Sequence, residues 1–299
     1  MDLWIIVTLA AAFFQTLRFM LQKHLSGVSL SAAGATFARF LYSAPLVGAG
    51  VLLYLALSGT VAPAIAPGFW PYAIAGGLSQ ILATICVVAL FNSRNFAVGI
   101  TFKKTEVIQT VFVGLLILGE GVSSLGFAAI LLGLIGVLVL SGAPEMALSL
   151  RGLWNRATAL GLTSGLFFAI SGVTYRGATL EVASDEPLLR AGVALAIVTA
   201  MQTGVMIAWL AAREPGEISR VLSAWRVAGL VGITSMLGSF CWFTAFTLQN
   251  AAYVNALGQV ELLFSIMATV FVFREKITTR EVAGIVLLAG SILTLVLVA

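Results

Sequence analysis

Ten long apolar runs, set apart by short polar or glycine- and proline-containing stretches, constrain this sequence of 299 residues most strongly. A helix that crosses the hydrocarbon core of a bilayer needs about 20 apolar residues, and each run has roughly that length. The runs are continuously apolar rather than alternating, which excludes a transmembrane β-barrel. The sequence therefore predicts an all-α polytopic membrane protein with ten transmembrane helices. The predicted spans cover residues 3–24, 31–57, 69–91, 97–118, 122–141, 157–178, 187–211, 223–248, 252–273 and 279–298.

The composition excludes most soluble classes of protein. Hydrophobic residues make up 60% of the chain and charged residues 9%, whereas a soluble domain carries about a quarter charged residues. Cys86 and Cys241 lie inside apolar runs, so we interpret them as small buried side chains. His24 is the only histidine, and the sequence contains no phosphate-binding loop or nucleophile motif. We therefore expect no metal site, no cofactor and no enzymatic activity.

Lysine and arginine residues are concentrated in the odd-numbered connections between the predicted spans. Because basic residues favour the cytoplasmic side, this bias predicts that the odd connections are cytoplasmic and that both termini lie outside. Arg176, and Arg190 one turn inside the seventh span, are the basic residues on the other side. The residues that carry the bias are Lys23, Arg94, Arg151, Arg156, Arg213, Arg220, Arg226, Arg274, Lys276 and Arg280.

The two halves of the chain are similar to each other. A shift of 155 residues aligns the sequence with itself from Trp70 to Leu140 without a gap. We predict a first five-helix repeat over 1–143, a connecting loop over 144–156 and a second repeat over 157–299. Because five is an odd number, the second repeat enters the membrane inverted, an arrangement typical of secondary transporters with a midplane substrate site. The rarer matched residues are Trp70/Trp225, Cys86/Cys241, Asn95/Asn250, Glu106/Glu261 and Glu120/Glu275.

Two matched carboxylates are predicted near the centre of the bilayer. Glu106 and Glu261 lie about ten residues into their spans, at a rise of about 1.5 Å per residue. An ionised carboxylate at that depth is costly unless it is paired, hydrated or protonated. One interpretation makes these residues carriers of a coupling proton. The other gives them a structural role in helix packing, with Lys103 neutralising Glu106 from one turn away.

Basic residues beside these carboxylates leave the charge of a substrate open. Lys103 and Lys104 are about 100° apart on a helix, so they cannot both face one cavity. We expect one of them to meet Glu106 or the cavity and the other to snorkel to the cytoplasmic surface, as Arg18 and Arg39 could also do. The lysines favour a carboxylate or phosphate substrate, whereas the two carboxylates favour a cation. The candidate residues for binding a substrate or a coupling ion are Glu106, Glu261, Lys103, Lys104, Gln15, Gln80, Tyr175, Trp242, Asn255 and Gln259.

Several short motifs recur in the two halves. In the second half they are Asn250-Ala251-Ala252, Val260-Glu261-Leu262, Arg274-Glu275-Lys276, Thr278, Gly284 and Gly290. In the first half they are Asn95, Ala97, Thr105-Glu106-Val107, Gly119-Glu120-Gly121 and Ser123, and Ala38-Arg39-Phe40 has a counterpart in Leu189-Arg190. With these motifs the chain resembles the EamA-type transporters of the drug/metabolite transporter superfamily. It departs from that pattern at Val107 and Leu262, where the family repeat has proline.

The resemblance implies two five-helix repeats around a central cavity lined by spans 1, 3, 4, 6, 8 and 9. It also implies a secondary transporter in a bacterial-type inner membrane, with export as the expected direction. We expect it to carry small polar or amphipathic metabolites, such as amino acids or organic anions, by alternating access. Its expected partners are the substrate, protons as a candidate coupling ion and membrane lipids, but no nucleic acid, and we expect a monomer or a weak homodimer. The alternatives are a lipid-handling or scaffold protein with the same fold and a cationic multidrug exporter.

Overall fold

The computed structural model describes residues 2–91, 96–140, 155–264, 267 and 278–298. Over these ranges the chain is helical, and the extended pairing is limited to one isolated bridge between Ile65 and Val182. A further helical turn covers residues 261–264. The helices are α1 (Leu3–Val28), α2 (Ala32–Ser58), α3 (Phe69–Phe91), α4 (Phe96–Lys103), α5 (Glu106–Leu118), α6 (Ser124–Leu140), α7 (Arg156–Leu180), α8 (Pro187–Arg213), α9 (Glu217–Ser223), α10 (Trp225–Leu248), α11 (Ala251–Gly258) and α12 (Thr279–Val298).

Seven of these helices are long and apolar enough to cross a membrane, as judged by length and composition. They are α1, α2, α3, α7, α8, α10 and α12, and they coincide with predicted spans 1, 2, 3, 6, 7, 8 and 10. Helix α6 is apolar but shorter than the other seven. The all-α fold with several membrane spans is therefore confirmed, whereas the full set of ten spans and the inverted repeat stay predictions.

The fourth span is broken in the middle, so the prediction of one continuous helix over 97–118 was wrong. Helix α4 ends at Lys103 and α5 begins at Glu106. At the break the amide of Thr105 donates to the carbonyl of Phe102, three residues back, at 3.1 Å. Such tight bonds replace the usual four-residue spacing and redirect the side chains that follow.

A second break lies at the matching place in the other half. Helix α11 ends at Gly258, and Gln259 and Val260 form a turn before the helical residues 261–264. The amide of Val260 donates to the carbonyl of Leu257 at 3.1 Å, the same three-residue spacing. Both breaks come just before a mid-span glutamate and form without the proline of the family repeat.

The connection after α8 also differs from the prediction. Helix α9 was not predicted; it starts after Gly216, whose positive φ of 86° lets the chain turn sharply at the end of α8.

Several sequence predictions fall outside the described residues: most of the connecting loop, and Arg94, Asn95, Arg151, Arg274, Glu275 and Lys276.

Helices from the two halves of the sequence pack against each other. Helix α3 packs along α7, α1 along α10 and α6 along α12. Small residues allow these close approaches, which matter because the hydrophobic effect does not hold helices together inside lipid. At Gly136 an added Cβ would lie 2.8 Å from the amide nitrogen of Leu288 on α12. At Gly177 it would meet the ring of Tyr72 on α3 at 2.9 Å.

The contact between α4 and α7 gives a direct test of this packing. A Cβ added to Gly161 would collide with the carbonyl oxygen of Gly99 and would lie 3.1 Å from the Cβ of Phe102. We therefore expect Gly161→Ala to destabilise the protein by about 1–3 kcal/mol, because the neighbouring atoms are largely backbone. The measurement is the melting temperature of the purified protein in detergent. Gly204→Ala on α8 is the matched control, since nothing lies within 4 Å of its added Cβ; equal melting temperatures for both variants would contradict the close approach.

Candidate functional site

A small cavity of about 40 Å³ lies among α1, α3, α4, α5, α7, α10 and α11. These helices belong to predicted spans 1, 3, 4, 6, 8 and 9, the set that the resemblance implies. A cavity needs about 10–15 Å³ of such volume to hold one water, so this one has room for only a few waters. A metabolite would therefore require the surrounding helices to separate. The lining residues are Gln15, Gln80, Lys103, Glu106, Phe168, Ser171, Gly172, Tyr175, Ser239, Trp242, Phe243, Phe246 and Asn255.

Aromatic rings form one wall of the cavity. The rings of Trp242 and Phe246 stack with centroids 5.6 Å apart, and those of Tyr175 and Phe243 lie 4.3 Å apart. The indole nitrogen of Trp242 is buried and has no hydrogen-bond partner among the described residues. This wall therefore combines apolar surface with an unused hydrogen-bond donor.

Lys103 and Glu106 form a buried ion pair across the break between α4 and α5. The ammonium of Lys103 lies 2.8 Å from the carboxylate of Glu106, three residues later, as the spacing predicted. Lys103 is only 4% exposed and also lies over the ring of Phe168, 5.0 Å from its centroid. The pair thus brings one positive and one negative charge to the cavity lining.

Lys104 and Glu261 form a second ion pair, which joins the two halves of the chain. Lys103 and Lys104 are 4% and 2% exposed, so the expectation that one of them snorkels was wrong. The helix break after Lys103 explains the difference, because it lets neighbouring lysines reach different carboxylates. The carboxylate of Glu261 also accepts a hydrogen bond from the amide of Gln15 at 2.8 Å.

This second ion pair borders a larger cleft of about 320 Å³ beside the cavity. The cleft lies among α1, α3, α4 and residues 261–262, and Lys23 at the end of α1 forms part of its wall. Lys103 lines both the cleft and the cavity. The two spaces are therefore neighbours separated by charged side chains.

Arg18 and Arg39 are also buried, at 2% exposure each, so the expectation that they could snorkel was wrong. Their guanidinium groups donate hydrogen bonds to polar groups, on the same helix for Arg18 and on neighbouring helices for Arg39. Arg18 donates to the amide oxygen of Gln15 at 3.4 Å. Arg39 donates to the hydroxyls of Thr84 at 3.2 Å and Ser239 at 3.1 Å. Sequence reasoning placed both arginines in spans but missed their link to the cavity.

Hydrogen bonds fix several polar residues of the lining. The hydroxyl of Tyr175 donates to the amide oxygen of Gln80 at 2.8 Å and accepts from Gln202 at 3.2 Å. Gln202 on α8 was not among the predicted residues, although a lone glutamine in an apolar span is a detectable signal. The amide of Asn255 donates to the hydroxyl of Thr110 at 2.9 Å.

The structure therefore brings together seven of the ten predicted residues at the cavity. Lys104 and Glu261 lie beside it at the cleft, and Gln259 is buried outside both linings. The side-chain amide of Gln259 donates to the carbonyl of Asn255 at 3.3 Å, which holds it along its own helix. The seven residues at the cavity are Gln15, Gln80, Lys103, Glu106, Tyr175, Trp242 and Asn255.

Arg176 closes the end of the bundle opposite Lys23. Its Nε donates to both carboxylate oxygens of Glu120, at 2.7 and 2.9 Å. Its Nη1 donates to the carbonyls of Phe246 at 2.7 Å and Gln249 at 3.0 Å. One arginine thereby joins the ends of α5, α7 and α10.

Comparisons with known proteins agree with this architecture. The family model of the EamA-like transporter family matches residues 155–297, which confirms the resemblance to the drug/metabolite transporter superfamily. A solved crystal structure aligns over 99% of this chain and 97% of its own, with a TM-score of 0.73 and 13% identity, and so shares the fold. A search of curated proteins finds no match. With its seven long apolar helices, the chain is an integral, multi-pass membrane protein, and its residues 155–297 match a transporter family.

The ion pair between Lys104 and Glu261 can be tested by a double-mutant cycle. Lys104→Gln or Glu261→Gln alone leaves a buried charge without its partner, so we expect each to destabilise the protein by about 3–5 kcal/mol. The double variant removes both charges, and its melting temperature in detergent should fall by clearly less than the two single losses added together. Arg280→Gln, at an exposed position, controls for loss of a charge as such. Strictly additive losses would show that the two side chains do not interact.

Proposed function

We propose that this chain, whose residues 155–297 belong to the EamA-like transporter family, is a secondary transporter that works by alternating access. Its two halves act as inverted repeats of five spans each, and the substrate binds in the cavity between them. The substrate is a small polar or amphipathic metabolite, and transport runs outward from the cytoplasm. The termini lie outside, as the basic residues of the connections predict.

The polar cavity inside the apolar bundle is the observation that carries the proposal. Polar and ionisable side chains within a membrane are costly, and they typically mark a substrate or ion pathway. Here Lys103, Glu106 and Gln80 from the first half face Tyr175 and Asn255 from the second. A site built from both halves changes its access when the halves move against each other.

Helix packing supports the inverted repeat. The third span packs along the sixth (α3 on α7), and the first along the eighth (α1 on α10). In the predicted repeats the first span corresponds to the sixth and the third to the eighth, so exchanging the repeats converts one packed pair into the other. The two helix breaks before Glu106 and Glu261 are related in the same way. Two similar halves of opposite orientation favour two access states of comparable energy.

The two ends of the bundle differ from each other in a way that supports transport outward from the cytoplasm. Arg176 ties α5, α7 and α10 together at the end that the charge bias places outside. At the predicted cytoplasmic end, the cleft beside Lys23 reaches Lys103, which also lines the cavity. This conformation therefore suits loading from the cytoplasm, which is the first step of export.

Glu261 is the residue we assign to proton coupling. It faces Lys104 directly, and Gln15 links it to Arg18. Protonation of this carboxylate would remove its attraction for Lys104 and loosen the contact between the two halves. A proton could thereby favour one access state over the other.

A lipid-handling role has one feature in its favour. An apolar groove of about 340 Å³ lies between α2, α8 and α10, with Tyr54 and Phe240 among its walls. The groove shares no lining residue with the polar cavity. Tyr54 at the groove already donates to the carboxylate of Glu186 at 2.5 Å. The groove therefore suits lipid chains around the protein better than a transported headgroup.

Proteoliposomes test the transport proposal. We expect purified protein to move at least one member of a panel of labelled amino acids, organic acids and amines, and an imposed pH gradient to change the rate. Lys103→Gln breaks the ion pair at the cavity, so it should lower uptake at least about tenfold, while Arg280→Gln should retain it. Folded protein, verified by its melting temperature, that moves no solute above empty liposomes would contradict the proposal.

A further inference from the structure

We infer that the transported substrate is an organic anion, attracted by the surplus positive charge of Arg18 and Arg39 beside the cavity. This inference rests on the proposed transport function and names the class of its substrate. It also decides between the anion and the cation that the sequence left open.

The charges around the cavity do not balance among the described residues. The carboxylates of Glu106 and Glu261 are each held by one lysine, Lys103 or Lys104. Each of these pairs is neutral as a unit. Arg18 and Arg39 are buried beside them, and over the described ranges neither forms a salt bridge. Two positive charges are thus left over in a region where an uncompensated charge is expensive.

Arg18 is the less satisfied of the two arginines. Its Nε is buried without a hydrogen-bond partner, and its one hydrogen bond among the described residues, to Gln15, is long at 3.4 Å. Its guanidinium otherwise lies over the ring of Phe19, 4.6 Å from the centroid. A guanidinium has five N–H donors, and a carboxylate or phosphate is the acceptor that matches them best. Arg18 therefore has unused capacity for an anion.

Arg39 reaches the cavity through a neutral partner. Its two hydrogen bonds go to the hydroxyls of Thr84 and Ser239, and Ser239 lines the cavity. Hydroxyls satisfy hydrogen bonds but carry no negative charge. Arg39 thus keeps its full positive charge, and only the side chain of Ser239 separates it from the cavity. The low dielectric there strengthens its attraction for an anion.

The cavity wall also favours an acceptor group joined to an apolar body. Trp242 presents an indole N–H that has no partner over the described residues, and an N–H can only donate. The rings of Phe243 and Phe246 beside it provide apolar contact. A solute with one anionic group and an apolar portion complements both features, whereas an ammonium group would meet two arginines and an unused donor.

Matched probes of equal shape test the sign of the preferred charge. The first set is benzoate, benzamide and benzylammonium, and the second is hexanoate, hexanamide and hexylammonium. Each is added to the full-length protein in detergent, and the melting temperature is recorded, because a ligand that binds the folded state raises it. Sodium chloride and inorganic phosphate are run separately to distinguish an organic anion from an inorganic one. We expect a carboxylate to raise the melting temperature more than its amide, and the ammonium not at all.

Variants identify the side chains responsible. Arg18→Gln and Arg39→Gln should each weaken carboxylate binding about tenfold or more, the effect of losing one charged hydrogen-bond partner. Arg18→Lys keeps the charge and should restore part of the affinity. Arg226→Gln at the exposed start of α10 is the matched control and should bind like the unaltered protein. The ratio of carboxylate to amide affinity is the decisive readout, because a variant that is merely less stable lowers both together.

The outcomes separate this inference from the transport proposal. Any of four results would overturn the inference. These are preference for the ammonium or the amide, stabilisation by chloride or phosphate alone, no stabilisation by any probe, and an unchanged ratio of carboxylate to amide affinity in Arg18→Gln and Arg39→Gln. Transport of an amine by the same protein would support the transport function and contradict the preference for an anionic substrate. Selective binding of carboxylates by protein that transports nothing in liposomes would support the anion site and contradict the transport function.

Discussion

The high free energy of a charge inside a bilayer governs the arrangement of this protein. Six charged side chains lie around the central cavity, and each must find a partner within the bundle because lipid offers none. Two carboxylates are held by two lysines, and two arginines are held by an amide and by hydroxyls. One of the ion pairs, between Lys104 and Glu261, also joins the two halves. In the proposed transport function, the interactions that stabilise the charged interior would also couple motion of the two halves to a bound charge.

The breaks in the fourth and ninth spans make this arrangement possible. On an unbroken helix, Lys103 and Lys104 would point in directions about 100° apart, and one would face lipid or the surface. The turn at Lys104 and Thr105 lets one lysine reach Glu106 at the start of α5 and the other reach Glu261 in the opposite half. Backbone outside regular helix is tolerated at this depth only where it is enclosed by protein or lines a cavity. The breaks and the cavity thus depend on each other.

The sequence predicts the long apolar helices well and the interior contacts less well. Long apolar runs in the sequence predict seven of the helices, because a candidate membrane span is recognised by length and hydropathy alone. These helices are α1, α2, α3, α7, α8, α10 and α12. The break before Glu106 was missed because no proline or glycine lies at residues 103–106; it depends on contacts with other helices. Snorkelling of one of the two lysines was predicted from their adjacent places on a regular helix, and the break removed that premise. Duplication directed attention to Glu106 and Glu261, whereas Gln202 lies outside the two aligned segments, so the repeat could not mark it.

In the proposed transport cycle the two ends of the bundle open in turn, and two distances recorded in one sample test this. One pair of spin labels spans the Arg176 layer, on the connection after α5 and the end of α10, and the other spans the cleft between α1 and α4. Distances are recorded by pulsed electron resonance in nanodiscs, with and without a transported solute and at two pH values. We expect one distance to lengthen whenever the other shortens. Two distances that stay fixed, or that lengthen together, would contradict alternating access.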